Sequence, residues 1–531
     1  MRRDAKYRRY VESKHAVFAI LLLGYLLFIL YPILRADRYC NDDLIRSLLG
    51  NYGWNNNGRH LANLLMRVLQ FGSQRAVDIS PLPQLIAIAI LAWTGVLIAR
   101  RYALGPPLLA ALVTFPLGAQ PFYLENLSYK FDAPCMALAM LFALLPFLVL
   151  RQGRKAWILS VLALLACLNL YQPAINVFLI FAILEIFLGQ VVRVEFKAQT
   201  VRLSSRVSQA VIASVTYQLL FGPSLKDWMR EHGTLIHSAS QLDRVLANAG
   251  DFWGYAVGAF DLRWIELFSP LAILAIVVPV FASLALAWSG RTERAGWQTG
   301  VLLVGAVLLP CVAVFCVAGP MLLLEQPILM PRVMVGVGAL LCAGLIAAHA
   351  VVEQKRLSHR PLCVIAGIWA LGFAVIAGAY GNAAAAQKGY ESRIAANLAD
   401  DVASMQATRL VRNYLLVGSA GFAPVTEHAA KQFPLFSTLI SSYLKADDFN
   451  SRNFLLHYIS GLKDMSGGIG KKHEKEILAQ ACGASPRIVR AGYTLRLVSD
   501  TVVVDFLQSP GLACDAPSQS GSAPVPDVKT P

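Results

Sequence analysis

The chain returns again and again to runs of about 20 mostly apolar residues, the length an α-helix needs to cross the hydrocarbon core of a bilayer. Eleven such runs begin near residues 16, 81, 103, 132, 156, 172, 207, 264, 297, 332 and 361. In hydrocarbon, backbone N–H and C=O groups must be satisfied within the spanning structure, so runs this long can only be helices. The feature predicts a mainly α, polytopic membrane protein of about 11 transmembrane helices. Only 15% of the residues are charged, against roughly 25% in soluble domains, and the mean hydropathy is +0.54. The first run, from about Ala16 to Leu34, is followed by no small-residue cleavage site and is expected to remain as a span.

Charge placement orients the spans. With the N-terminus inside, the inside segments are residues 1–14, Arg100-Arg101, residues 151–155, Val191 to Arg206, residues 291–294 and residues 353–360. Together they hold twenty Lys and Arg, and each holds at least two, as the positive-inside rule requires. The formal charge of +15 is therefore read as topology. It does not form an aromatic-interleaved patch for nucleic acid. Eleven spans put the C-terminus outside, which in a Gram-negative host means the periplasm, with the body of the chain in the inner (cytoplasmic) membrane. Cys135, Cys167, Cys311, Cys316, Cys342 and Cys363 lie in or beside apolar runs without CxxC or His-paired spacing, which argues against a zinc or iron–sulfur site. His60, His232 and His237 form no HxxxH or HExxH pattern.

The expected domains are a cytoplasmic tail (1–15), a transmembrane catalytic domain (16–380), a small periplasmic α/β domain (381–515) and a disordered Pro/Ser/Gly tail (516–531). In the α/β domain the pattern predicts an amphipathic helix over Ala386–Met405, a strand at Tyr414–Gly418 and a hairpin in residues 493–507. Cys482 and Cys514 are candidates for a disulfide in an oxidising compartment.

Most of the polar chemistry collects in the outside segments. Arg35, Asp37, Arg38, Asp42, Asp43 and Arg46 crowd the start of the first outer loop, Arg35–Ile79. A membrane protein tolerates such a cluster where water or a polar ligand meets the bilayer. Residues 47–49 and 61–71 read as short interfacial helices separated by the polar turn at residues 55–58. If the chain after Asn41 is helical, Asp42 and Asp43 lie four and three residues before Arg46 and share its face. One carboxylate can act as general base on an acceptor hydroxyl, or hold a divalent cation (Mg²⁺ or Mn²⁺) that neutralises a phosphate. Alternatively, the pair simply caps a helix start. Arg46 and Arg59 suit bidentate binding of phosphate. The second outer turn supplies Glu125, Tyr129, Lys130 and Asp132. Tyr171 and Gln172 sit at a break between spans, and Arg332 follows Pro331 at the outer start of another. Interfacial tyrosines and a snorkelling arginine are the plainer readings of several of these.

The stretches NDDLIR at 41–46, GWNNNGRHLANLLMRVL at 53–69, DISPLPQL at 78–85, ENLSYKFDAP at 125–134 and NLYQPAINVF at 169–178 resemble the glucosyltransferase-II (Gtr-type) family of bacterial and phage-borne membrane proteins that add glucose to O-antigen. The resemblance covers about the first 190 residues. It implies a GT-C type hexosyltransferase of lipopolysaccharide modification and serotype conversion, with an undecaprenyl (polyprenyl) phosphate glucose donor. It further implies a separate donor synthase and a flippase, and inverting transfer to a lipid-linked or surface glycan on the periplasmic side. Carried onto this chain, Asp42 and Asp43 become the catalytic pair. Arg46, Arg59, Lys130 and Arg332 become candidates for the donor phosphate. Glu125, Tyr129, Asp132, Tyr171 and Gln172 become candidates for the sugar and acceptor. Two alternatives stay open: the same fold with another lipid-linked sugar, and a lipid or glycan flippase, which would call for ionisable residues near mid-membrane.

Overall fold

The computed structural model describes residues 2–150, 153–236, 241–289, 296–446, 448–459, 461–464 and 471–507. His237, residues 291–294, Cys514 and the tail 516–531 lie outside these, and with Cys514 the expected pairing of Cys482. The chain divides into two compact units, one of residues 1–386 and 424–441, the other of residues 387–423 and 442–531. The boundary falls within the long helix Arg360–Gln406.

The first unit is helical, and a helix stands at each of the eleven apolar runs. Among the described residues, six are long and apolar enough to cross a membrane: Ser13–Ala36, Leu82–Arg101, Gln172–Val191, Gly296–Phe315, Gly336–Gln354 and Arg360–Thr408. Of the others, Pro107–Ala119 and Ala133–Leu148 are shorter and Phe196–Phe221 is more polar. The protein is thus mainly helical with several membrane-spanning helices. Local sequence explains the ends. Leu82–Arg101 starts with Pro83 in its first turn and closes on Arg100 and Arg101, which complement the helix dipole. Arg154–Leu170 stops where Tyr171 turns extended (φ −160°); one 3₁₀ turn containing Pro173 follows, and the helix resumes at Ile175.

The first outer loop leaves its span through two left-handed residues, Asp37 (φ 44°) and Asn41 (φ 43°), types that tolerate this conformation. It then forms the helix Asp43–Leu49, a 3₁₀ turn over Trp54–Asn57, and the helix His60–Leu69. In the last of these, Ala62, Asn63 and Met66 are buried, whereas Leu64 and Val68 are more than half exposed and Phe71, just beyond, is fully so. One side is seated on the protein and the other offers apolar surface, as in a helix lying in a membrane interface. The loop is anchored by Trp54, which is fully buried.

The second unit carries a five-stranded sheet in the order β2-β1-β5-β4-β3, with β1 Asn413–Ser419, β2 Lys463–Asp464, β3 Ile488–Val489, β4 Thr494–Val498 and β5 Thr501–Leu507. β4 and β5 form the hairpin expected from the alternating apolar pattern, paired Val498 to Thr501. β1 lies parallel to β5, and the helix Lys471–Gly483 contributes Ile477 and Ala481 to a core with Leu415, Val498 and Val503. The helix expected over Ala386–Met405 is the end of Arg360–Gln406.

Candidate active site

The charged residues of the first and second outer loops meet beside a cavity of about 550 Å³ within the first unit. Its lining falls into two sets. Asp42, Arg46, Arg59, Tyr129, Asp132, Tyr171, Gln172 and Arg332 form a polar set. Leu168, Ile175, Val215, Leu219, Leu225, Leu235, Met321, Leu324 and Ile328 form an apolar one. A cavity of this kind has surfaces for a charged headgroup and for hydrocarbon.

The two adjacent aspartates have different environments. Asp42 is the N-cap of Asp43–Leu49, yet its carboxylate makes no capping bond. Its side chain is 55% exposed and reaches Arg46 at only 3.7 Å. Asp43 is fully buried and does not line the cavity. Its Oδ2 accepts the Lys130 backbone N–H at 2.7 Å, while its Oδ1 has no hydrogen-bond partner. Burial, and next the negative charge of Asp132, holds the Asp43 carboxyl well above the usual carboxylate range. Asp42 and Asp43, expected as a catalytic pair, are thus not placed alike. One faces the cavity, and the other lies beneath it as a buried acceptor. Of the two, only Asp42 is open to the cavity, so it alone could offer a carboxylate to a divalent cation there.

The arginines also differ. Arg46 donates to Asp132 Oδ2 at 2.9 Å and lies 4.2 Å from the Trp54 ring centroid. Asp132 Oδ1 accepts Trp54 Nε1–H at 2.5 Å, so both of its oxygens are engaged. Arg332 is paired with Glu125, which also accepts the Arg332 backbone N–H at 2.8 Å and Asn41 Nδ2–H at 3.1 Å. Tyr171 donates its hydroxyl to the Arg332 carbonyl at 2.7 Å. Arg59 stands apart. Its Nε donates to Gln172 Oε1 at 2.8 Å and its guanidinium lies 4.9 Å from the Tyr171 ring centroid. Among the described residues it has no carboxylate partner.

Glu125 and Lys130 belong to the frame of the site, not to its lining. Glu125 is 2% exposed and satisfied by Arg332 and Asn41. Lys130 is 7% exposed, paired with Asp37 at 2.5 Å and Asp78 at 3.6 Å, and sits over the Tyr39 ring. Lys130, expected at the donor phosphate, and Glu125, expected at the sugar, therefore do not line the cavity. Tyr129 lines the cavity and accepts Asn41 Nδ2–H at 3.1 Å.

Three lining features escaped the sequence reading. Tyr217, in Phe196–Phe221, accepts Gln172 Nε2–H at 2.8 Å and donates to the Gly58 carbonyl at 3.3 Å. Asn57 offers its carbonyl to the same Gln172 amide at 2.8 Å. His232 also lines the cavity. The signal for Tyr217 was its place at the outer end of a helix read only for hydropathy.

A profile described as "Glucosyl transferase GtrII" matches residues 31–343. The chain belongs to this glucosyl transferase family. The matched segment takes in both outer loops, the break at Tyr171 and Arg332, the parts that build the cavity. A GtrII chain is a glycosyltransferase, and this one is embedded in a membrane by several apolar helices. It is also 28% identical over 448 residues to an uncharacterized 55.3 kDa protein in the gtrB 5′ region of Salmonella phage P22, an alignment covering 82% of this chain and 89% of that protein. No solved structure matches the chain.

Proposed function

We propose that this GtrII family member transfers glucose from a polyprenyl-phosphate donor to O-antigen or another lipid-linked or surface glycan, on the periplasmic face of the inner membrane. The observation that carries this reading is the presence, in one half-apolar cavity, of an exposed carboxylate and an arginine that, among the described residues, no carboxylate pairs with. The isoprenoid tail takes the apolar wall. The phosphate takes Arg59, a planar donor suited to bidentate contact with phosphate oxygens. Arg46 and Arg332 are each tied to a carboxylate, so they add positive potential without being free to move.

Asp42 is the general base in this scheme. It withdraws the proton of the acceptor hydroxyl as that oxygen attacks the anomeric carbon. The bond from this carbon to the phosphate oxygen breaks, and the electron pair leaves on the lipid phosphate beside Arg59. Such direct displacement inverts the anomeric configuration. Asp43, buried one residue on, positions the Lys130 backbone and takes no part in proton transfer. Glucose rests on the family. A donor with another sugar would use the same machinery.

The test is transfer in vesicles supplied with polyprenyl-phosphate glucose, and in parallel with the mannose and galactose donors, plus O-antigen acceptor. Transfer of glucose that disappears with Asp42→Asn supports the proposal. Transbilayer movement of donor without transfer would overturn it in favour of a flippase.

A further inference from the structure

We propose that His349, Glu353 and His359 form a binding site for one divalent transition-metal ion of the zinc class, clamping the turn between Gly336–Gln354 and the helix that begins at Arg360. The residues are spaced H-x₃-E-x₅-H. His349 and Glu353 are one helical turn apart and so share a face. The chain then reverses through Lys355 to Ser358, with Arg356 in the left-handed region (φ 53°), and returns His359 to the same spot. One ligand atom from each of the three lies within 4.8 Å of the other two.

The distances suit a single bound ion. His359 Nε2 is 3.0 Å from Glu353 Oε1, and His349 Nε2 is 3.9 Å from the same oxygen. Tetrahedral ligands bound to zinc at about 2.0–2.2 Å are separated by roughly 3.4 Å, a value between the two observed. The imidazoles stack at 5.2 Å with 22° between planes, so both present an edge toward the carboxylate.

A plain hydrogen bond between His359 and Glu353 accounts for only part of this. It leaves His349, whose side chain is 3% exposed, with its Nε2 buried and unpartnered at the focus of the cluster. His359 Nδ1 is also buried without a partner. Buried polar atoms are seldom left so, and a cation satisfies the His349 nitrogen directly. Two imidazoles and one carboxylate select zinc, cobalt or nickel over magnesium or calcium. Glu353 is 56% exposed, so an ion and a water in the fourth position have an open path. The site is separate from the cavity, and none of its residues lines that cavity.

The experiment uses the full-length chain, untagged, in detergent micelles. The protein is stripped with chelator and dialysed against Zn²⁺ or Co²⁺. The expected result is one equivalent bound per chain at micromolar free metal, with visible Co²⁺ absorption typical of a tetrahedral nitrogen–oxygen site. His349→Ala and His359→Gln should each weaken binding at least tenfold, Glu353→Gln less so, and His428→Ala, an exposed histidine of the helix Pro424–Gln432 outside the cluster, not at all. Metal should raise the unfolding temperature of the wild type and leave that of His359→Gln unmoved, because an ion that binds only the folded state stabilises it. His359 is only partly buried, so His359→Gln keeps the test decisive if His349→Ala fails to fold. Equal binding by wild type and His359→Gln, or no stoichiometric binding by the wild type, would overturn the proposal.

Discussion

Exchanging Asp42 and Asp43 for asparagine, one at a time, separates the two roles assigned to neighbouring residues. Asp42→Asn removes the carboxylate proposed as the base for the acceptor hydroxyl. General-base catalysis contributes about 10²–10⁴-fold, or roughly 3–5 kcal/mol of barrier, so glucose transfer in vesicles should fall by that factor with little change in protein level. For Asp43→Asn the structure gives a different sum. The amide keeps an oxygen to accept the Lys130 N–H and places its NH₂ where Oδ1 now has no partner. It also mimics a protonated carboxyl, the form that burial favours. The loss should not exceed one ordinary hydrogen bond, about 1 kcal/mol, or some fivefold in rate. The pH dependence has a sign as well. A carboxyl raised in the folded state contributes stability that is full below its unfolded value near 4 and is lost as pH rises through the folded value. The melting temperature of Asp43→Asn should therefore gain on that of the wild type as pH rises. The reasoning is refuted if Asp43→Asn is as inactive as Asp42→Asn, or if Asp42→Asn keeps more than a tenth of the wild-type rate.

Three further outcomes follow from contacts described above. Arg59→Lys keeps the charge but gives up the planar fork and the Tyr171 stacking, so kcat/KM for the lipid donor should drop by about 10–100-fold, measured at limiting donor. Glu125→Ala leaves the Arg332 guanidinium and the Arg332 backbone N–H unpaired. Breaking such a buried pair costs about 3–5 kcal/mol, and folded protein recovered in detergent should decline sharply, whereas a purely sugar-binding Glu125 would leave the yield intact. Gly58 has φ +70°, and a Cβ there would lie 2.4 Å from the Tyr217 hydroxyl. Gly58→Ala should cost about 1–2 kcal/mol in backbone strain, with further displacement of Tyr217 read as a several-fold loss of transfer.

Hydropathy and charge made the helical architecture legible, because spans must be long and apolar whatever they pack against. The break at Asn169–Pro173 and the β4–β5 hairpin were likewise visible, since proline and strict alternation act locally. The crowded aspartates could be found as a pair but not told apart. Their difference comes from the Lys130 backbone and Asp132, almost 90 residues along the chain. Lys130 was misplaced for a similar reason. An outer lysine looks free until Asp37 and Asp78 fold onto it. Tyr217 and the His349–His359 cluster depend on side-chain convergence that neither hydropathy nor short motifs encode.

Arg59 is the residue that begins the helix His60–Leu69, the same helix whose Leu64 and Val68 point away from the protein. If those side chains float in the acyl layer, the guanidinium rides at a height fixed by the lipid itself. A bilayer of different thickness would then raise or lower the phosphate grip relative to the carboxylate, coupling turnover to membrane composition with no separate sensor.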